Sequence, residues 1–172
     1  MAITSSKDMS LDKMPIIWAG LPKELIEKFD VLDDQQITNA TKGKIIEELF
    51  YEFPSHGENA VSLTYAGVKW IASMMASRGD PLTVVDMTIT ETEKSIKIIA
   101  KGRRYTTGEE RFGGAEQSRF DGHGKDDPFA FAKAVSKAQR NVLKQFIPET
   151  VIQEAYKEWK RNKTTVVGST PK

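Results

Sequence analysis

The stretch from Asp127 to Ile147, closed by Pro148, constrains this chain more than any other. Pro128 suits the first turn of a helix, where a missing N–H costs nothing, and Asp126 or Asp127 is placed to cap it. Pro148 stops the helix. At about 100° per residue, Phe131, Ala134, Val135, Ala138, Val142 and Phe146 fall on one side. Lys133, Lys137, Arg140 and Lys144 form a row on the other. The apolar side must lie against something, so the stretch demands a partner layer. The cationic side poses a different question. No acid stands between Lys133 and Lys144, whereas a surface helix ordinarily mixes signs because i,i+4 ion pairs support it. An unmixed row suffers mutual repulsion that a polyanion relieves; a solvated face beside a core is the plain alternative.

The charge pattern along the chain bears on that choice. The net charge of +1 over 172 residues conceals a polarity. Residues 1–50 carry 6 basic and 9 acidic side chains, and residues 51–93 carry 2 and 6. Residues 94–147 carry 12 basic against 6 acidic. A basic third quarter behind an acidic front half points to a localised anion-binding surface. It also allows an acidic face of one subunit to meet a basic face of another, although opposite charge alone does not specify an interface. The absence of cysteine removes disulfides, thiolate zinc sites and cysteine nucleophiles. No apolar run reaches the length of a membrane span. The N-terminal residues lack the apolar core of a signal peptide, so a cytoplasmic location is expected, nucleoid-associated or in a host cell if the chain is viral.

One domain is expected over residues 14–161, with a core at about 60–148, a disordered tail over 1–13 and a flexible tail over 162–172. Met14 to Gly20 is a short apolar segment able to pack on the domain. Pro22 opens a helix over Lys23–Phe29, Asp33 to Gln36 form a polar link, and a second helix is expected over Ile37–Phe53 with Ile45, Ile46, Leu49 and Phe50 as its stripe. Pro54 to Gly57 ends it. Val61 to Ser77 reads as a third helix, lined by Leu63, Ala66, Trp70 and Met74. Gly67 sits inside it at a cost of about 1 kcal/mol against alanine, which often marks close approach of another backbone. Tyr65, Trp70, Met74 and Met75 read as plain core filling.

After the break at Gly79-Asp80-Pro81, three strands are expected. In the first, Leu82–Thr90, Val85, Met87 and Ile89 share one face. In the second, Ser95–Thr106, Ile96, Ile98 and Ala100 share one face, and Lys97, Ile99, Lys101, Arg103 and Tyr105 the other. Thr107-Gly108 turns the chain. The third, Glu109–Arg119, is interrupted at Gly113-Gly114, a candidate bulge. A last helix, Pro148–Arg161, turns Val151, Ile152, Ala155, Tyr156 and Trp159 inward. Strands joined by short turns are antiparallel. The expected class is α+β, an antiparallel three-stranded β-meander packed by the following helix, with additional N- and C-terminal helices.

Chemistry has few places to sit. Lys97, Lys101 and Arg103, alternating on one strand face with Tyr105, would make a charged strip with an aromatic platform. Arg104 and Arg111 belong to the same hairpin. With the row on the helix, such a strip would wall a groove able to track a phosphate backbone, with Tyr105 or Phe112 stacking on bases. Lysines alternating along an edge strand also have a dull use, preventing aggregation. In the loop Asp121 to Asp127, two aspartates and His123 could bind a metal, and its glycine-rich turn with Lys125 could touch phosphate. The spacing matches neither a calcium-hand loop nor the phosphate-binding loop, and a flexible polar loop is the simpler reading. His56 reads as a loop histidine. No nucleophile elbow, dinucleotide fingerprint or paired-carboxylate motif is present, and no cofactor is expected.

The order of elements resembles a known family. A helix carrying Leu63-Thr64-Tyr65 and Lys69-Trp70-Ile71, a β-β-β meander, and a helix reading Lys133 to Phe146 is similar to the ring-forming Rad-fifty-two-like single-strand annealing proteins, which include phage and plasmid recombinases. The similarity covers about residues 60–148. Arg140, Val142-Leu143, Lys144 and Phe146 match the family's helix motif, with Asn141 where the family has a second basic residue. Lys69 corresponds to the family's basic residue beside tryptophan.

The resemblance implies a non-enzymatic protein of DNA recombination and repair, a homo-oligomeric ring with single-stranded DNA in a groove between hairpin and basic helix. Lys69, Lys97, Lys101, Arg103, Arg104, Tyr105, Arg111, Lys133, Lys137, Arg140 and Lys144 are its expected contacts. A single-strand binding protein or a recombinase is a further expected partner. The competing class is a metal-dependent nuclease or phosphoryl-handling enzyme built on the Asp121–Asp127 loop. A third is a structural domain whose basic helix meets an acidic neighbour.

Overall fold

The computed structural model describes residues 23–43, 48–55 and 58–167. The expectations for residues 1–13, Met14–Gly20, Ile45, Ile46, His56 and the last five residues, 168–172, lie outside those residues. The order is helix α1 (Lys23–Thr41), strands β1 (Phe50–Ser55) and β2 (Glu58–Leu63), helix α2 (Tyr65–Ser77), strands β3 (Leu82–Glu91), β4 (Ser95–Arg104) and β5 (Glu109–Ser118), and helices α3 (Ala130–Lys144) and α4 (Glu149–Val167). The protein is α+β. An antiparallel sheet, ordered β3-β4-β5, is packed by α3, and a separate hairpin is made by β1 and β2.

The first third departs from the sequence reading. Asp33 to Gln36 are not a link but the middle of α1, because no glycine or proline interrupts the chain between Lys23 and Thr41. The helix expected over Ile37–Phe53 does not exist as such: Ile37 lies in α1 and Phe50 opens a strand. Spacing alone does not separate a short apolar run in a helix from one in a strand, and aromatic Phe50, Tyr51 and Phe53 favour the strand. α2 begins at Tyr65 rather than Val61, so Leu63 is a strand residue. Thr64 caps the helix, its hydroxyl accepting from the Gly67 N–H at 2.9 Å. The buried side of α2 is Gly67, Val68, Ile71 and Met75, one position round from the expected stripe. A Cβ at Gly67 would strike the backbone carbonyl of Leu49, so this glycine does mark a close backbone approach.

The meander follows its alternation closely. Ile96, Ile98 and Ala100 point inward and are buried, while Lys97 and Ile99 point outward. A register shift between Val84 and Asp86 turns Val85 out of the expected face; Leu82, Val84 and Met87 pack on the core instead. No bulge occurs at Gly113-Gly114, which pair in register with Ala100 and Ile99. Gly113 is required because α3 lies directly on it: a Cβ there would fall 2.5 Å from the Val142 nitrogen. Gly102 serves the same approach beneath Val142 and Phe146. The small side of α3, Ala130, Ala134 and Ala138, fits this contact, whereas Phe131, expected inward, is exposed.

α4 closes the core with Ile152, Ala155, Tyr156 and Trp159, the last two packed on the Phe50 ring. It continues to Val167, beyond the expected end at Arg161. No helix among the described residues is long and apolar enough to cross a membrane.

Candidate nucleic-acid interface

The two cationic strips do not wall one groove. α3 covers the inner face of the sheet, since Gly102 and Gly113 receive it. Lys97, Lys101 and Arg103 occupy the face turned away from α3, because side chains alternate along a strand.

That outer face carries no covering element among the described residues, and it exposes Ile99 and Phe112, the latter to 62%. Lys101 and Arg103 share one carboxylate, Glu110. The Lys101 ammonium lies 2.6 Å from it, and the Arg103 guanidinium donates to it through Nε at 2.9 Å. The two cations hold the Glu110 carboxyl below its ordinary value. Lys101 also stands 5.9 Å from the centre of the Phe112 ring, close enough for a weak cation–π contact. Lys97 is exposed, with Glu116 opposite it in register. Tyr105 lies just past the end of β4 and is 56% exposed.

Other expected contacts serve the hairpin itself. Arg104 binds Asp80 through two nitrogens, at 2.9 and 2.5 Å. Arg111 pairs with Glu109 at 2.6 Å and reaches the Gln145 carbonyl at the end of α3. Lys69 is exposed on α2, its ammonium 4.5 Å from the Tyr65 ring centre.

The row on α3 is not a free surface, which corrects the expectation that it walls a groove for a phosphate backbone. Arg140 and Lys137 are buried. Their partners come from α1, which presents Asp30, Asp33 and Asp34 at three- and four-residue spacing on one face. Lys137 meets Asp34 at 2.7 Å and also donates to the Gln117 amide oxygen at 3.0 Å. Arg140 pairs with Asp33 and with Asp30, the latter at 3.2 Å, and lies 4.9 Å from the Phe29 ring centre. Lys133 turns to Asp127 at the start of its own helix, at 2.7 Å. Lower numbers on α1 meet higher numbers on α3, so the two helices run antiparallel.

Asp33 is fully buried and also accepts from the Tyr65 N–H at 3.1 Å. Burial pushes its carboxyl up, and the Arg140 guanidinium pulls it the other way. Burial and the neighbouring Arg140 push the Lys144 ammonium down to about 7.

Three features escaped the sequence. Asp33 and Asp34 read in the sequence as part of a link, although with Asp30 their helical spacing matches that of the row they cover. Asn141 donates to the Gly114 carbonyl at 2.8 Å, and Gln145 donates to that of Phe112 at 2.7 Å. The two amides thereby cap the open edge of β5. In the loop, the Asp121 carboxyl accepts from the N–H groups of His123 and Lys125, which hold it below its ordinary value. Its Oδ1 therefore closes a turn. Among the described residues no group of three or more histidine, aspartate or glutamate side chains is placed to hold a metal ion. Comparison with models of known families, with characterised proteins and with solved structures gives no match.

Proposed function

We propose that this chain binds single-stranded DNA and brings complementary strands together, as a homo-oligomer and without bond chemistry of its own. The observation that carries the reading is the open outer face of the three-stranded sheet. There Phe112, 62% exposed, stands beside Ile99 and among Lys97, Lys101 and Arg103. Exposed aromatic rings stack on bases irrespective of sequence, and interleaved cations hold the phosphates. Glu110 does not block this use. Surface ion pairs are worth about 0–1 kcal/mol, and one carboxylate shared by two cations yields readily to a phosphate. Annealing then needs only that each strand be held with its charge neutralised while base pairing supplies the driving force.

Because three cations line the face, binding of a labelled oligo-dT should weaken with salt at a log–log slope of about −2, roughly −0.7 per phosphate contacted. Phe112→Ala should cost about 1–3 kcal/mol of affinity while changing stability by no more than about 0.5 kcal/mol, because the ring is largely exposed and its contact with the Lys101 ammonium is weak. Affinity insensitive to both salt and Phe112→Ala would overturn the reading. A phosphoryl-handling enzyme at the Asp121–Asp127 loop has less in its favour, since Asp121 is engaged by backbone N–H groups and Asp127 by Lys133 and the Phe129 N–H.

A further inference from the structure

The row on α3 and the acids of α1 form a second anion-binding strip that is already filled. Lys133, Lys137, Arg140 and Lys144 repeat along one line of α3 with no acid on that helix. The countercharges of Lys137 and Arg140 arrive from a helix more than a hundred residues earlier in the chain. Over Glu27–Thr41, α1 is held by those charges together with a small apolar contact. Of its residues from Glu27 to Thr41, only Phe29 and Ile37 are buried apolar side chains, and its other links are polar, such as Gln36 to the Glu48 carbonyl and the Tyr51 hydroxyl to that of Leu32.

The row is also reachable from one end. A cavity of about 490 Å³, lined by Asp34, Gln35 and Thr38 of α1, by Gln117 and Asp127, and by Lys133, opens where α1, the end of β5 and the start of α3 meet.

We propose that α1 is an internal competitor of nucleic acid. Asp30, Asp33 and Asp34 stand where phosphates of a single strand lie when α1 withdraws from α3. The strand enters at Lys133 and exchanges carboxylates for phosphates along the row. The exchange is cheaper than simple opening, because each cation passes from one anion to another instead of standing alone. The closed arrangement taxes affinity by the fraction of molecules that are open. This inference rests on the single-strand reading above and adds a regulated second strip to it.

The test uses the full chain and labelled oligo-dT. Asp30 and Asp34 are partly exposed, so Asp30→Asn with Asp34→Asn loosens the cover while Asp33 still partners buried Arg140. This pair should tighten binding about tenfold, the effect of raising the open fraction by that factor. The matched control, Glu154→Gln with Glu158→Gln on the exposed side of α4, removes the same charge far from the row and should change affinity much less. Equal gains from both pairs would reduce the effect to net charge and overturn the inference.

Independently, hydrogen exchange of the wild-type protein should show α1 amides losing protection when saturating oligo-dT is added. Unchanged or increased protection would overturn the inference while leaving binding at the sheet intact. No binding by wild type or variant would overturn both readings.

Discussion

Lys144 ends the row on α3 with its ammonium drawn inward. Burial and Arg140 lower its pKa to about 7, against the opposing pull of Asp30 and Asp33. An unfolded chain keeps the lysine near its ordinary value of 10.5. Between those values the unfolded state binds a proton that the folded state has released, so stability rises with pH through this window. Below the folded value both states are protonated and the dependence levels off. Lys144→Met removes the linkage and keeps most of the volume. Relative to wild type, the variant should gain on the order of 1 kcal/mol at pH 7, and the gain should shrink as pH approaches 10. Thermal unfolding of both proteins across that range checks it; a difference independent of pH would refute the assignment. The lysine's position on the helix was readable from spacing, but its altered chemistry was not, because the groups that bury it come from elsewhere in the chain.

The docking of α3 on the sheet rests on glycines that admit a helix backbone. A Cβ added at Gly113 would lie 2.5 and 2.7 Å from the Val142 nitrogen and Cα, and 2.8 Å from the Asn141 carbonyl carbon. These are backbone atoms, so relief requires the helix to lift, loosening the Asn141 and Gln145 caps on β5. Gly113→Ala should therefore cost about 1–3 kcal/mol or more. At Gly114, facing the other way, an added Cβ meets nothing nearer than 3.4 Å, and Gly114→Ala should stay within about 0.5 kcal/mol. Urea midpoints of the two variants test the contrast. A glycine pair inside an alternating strand suggests a bulge or a close approach equally well, and only the placement of α3 distinguishes them. The first helix posed the opposite difficulty. Two adjacent aspartates and two glutamines read as a link when no partner is in view, yet they become helix interior once α3 supplies cations.

Strand order leaves the molecule asymmetric. β5 has its edge capped by amides of α3, whereas β3 has no second strand partner among the described residues and exposes Val85 and Ile89 along its length. An unprotected strand edge with apolar side chains is a template for another chain. A contact made with a different surface of the next subunit closes into a ring where the rotation permits. If the protein works as a homo-oligomer, β3 is the place to look for its seam. Native mass measurement should then show a discrete assembly for the wild type and smaller species for Val85→Lys with Ile89→Lys. A monomeric wild type, or an assembly indifferent to the pair, would rule out this seam.

Periodicity was enough to establish the meander, the amphipathic α3, the inward face of α4 and the α+β class, because alternation and helical spacing are local properties that the backbone reports wherever it goes; the cap expected of Asp126 or Asp127 does not form, since Phe129 holds the N-cap position with no side-chain hydrogen bond. It also placed the row of cations on one line. It could not say what faces that line. The basic helix lacks acids of its own, and the acids that answer Lys137 and Arg140 lie in α1, more than a hundred residues earlier, where nothing local marks them as partners. Burial, pairing and the separation of the row from the sheet strip arise when α1, α3 and β5 come together, since charge neutralisation depends on distance in space and a linear sequence carries no such distance.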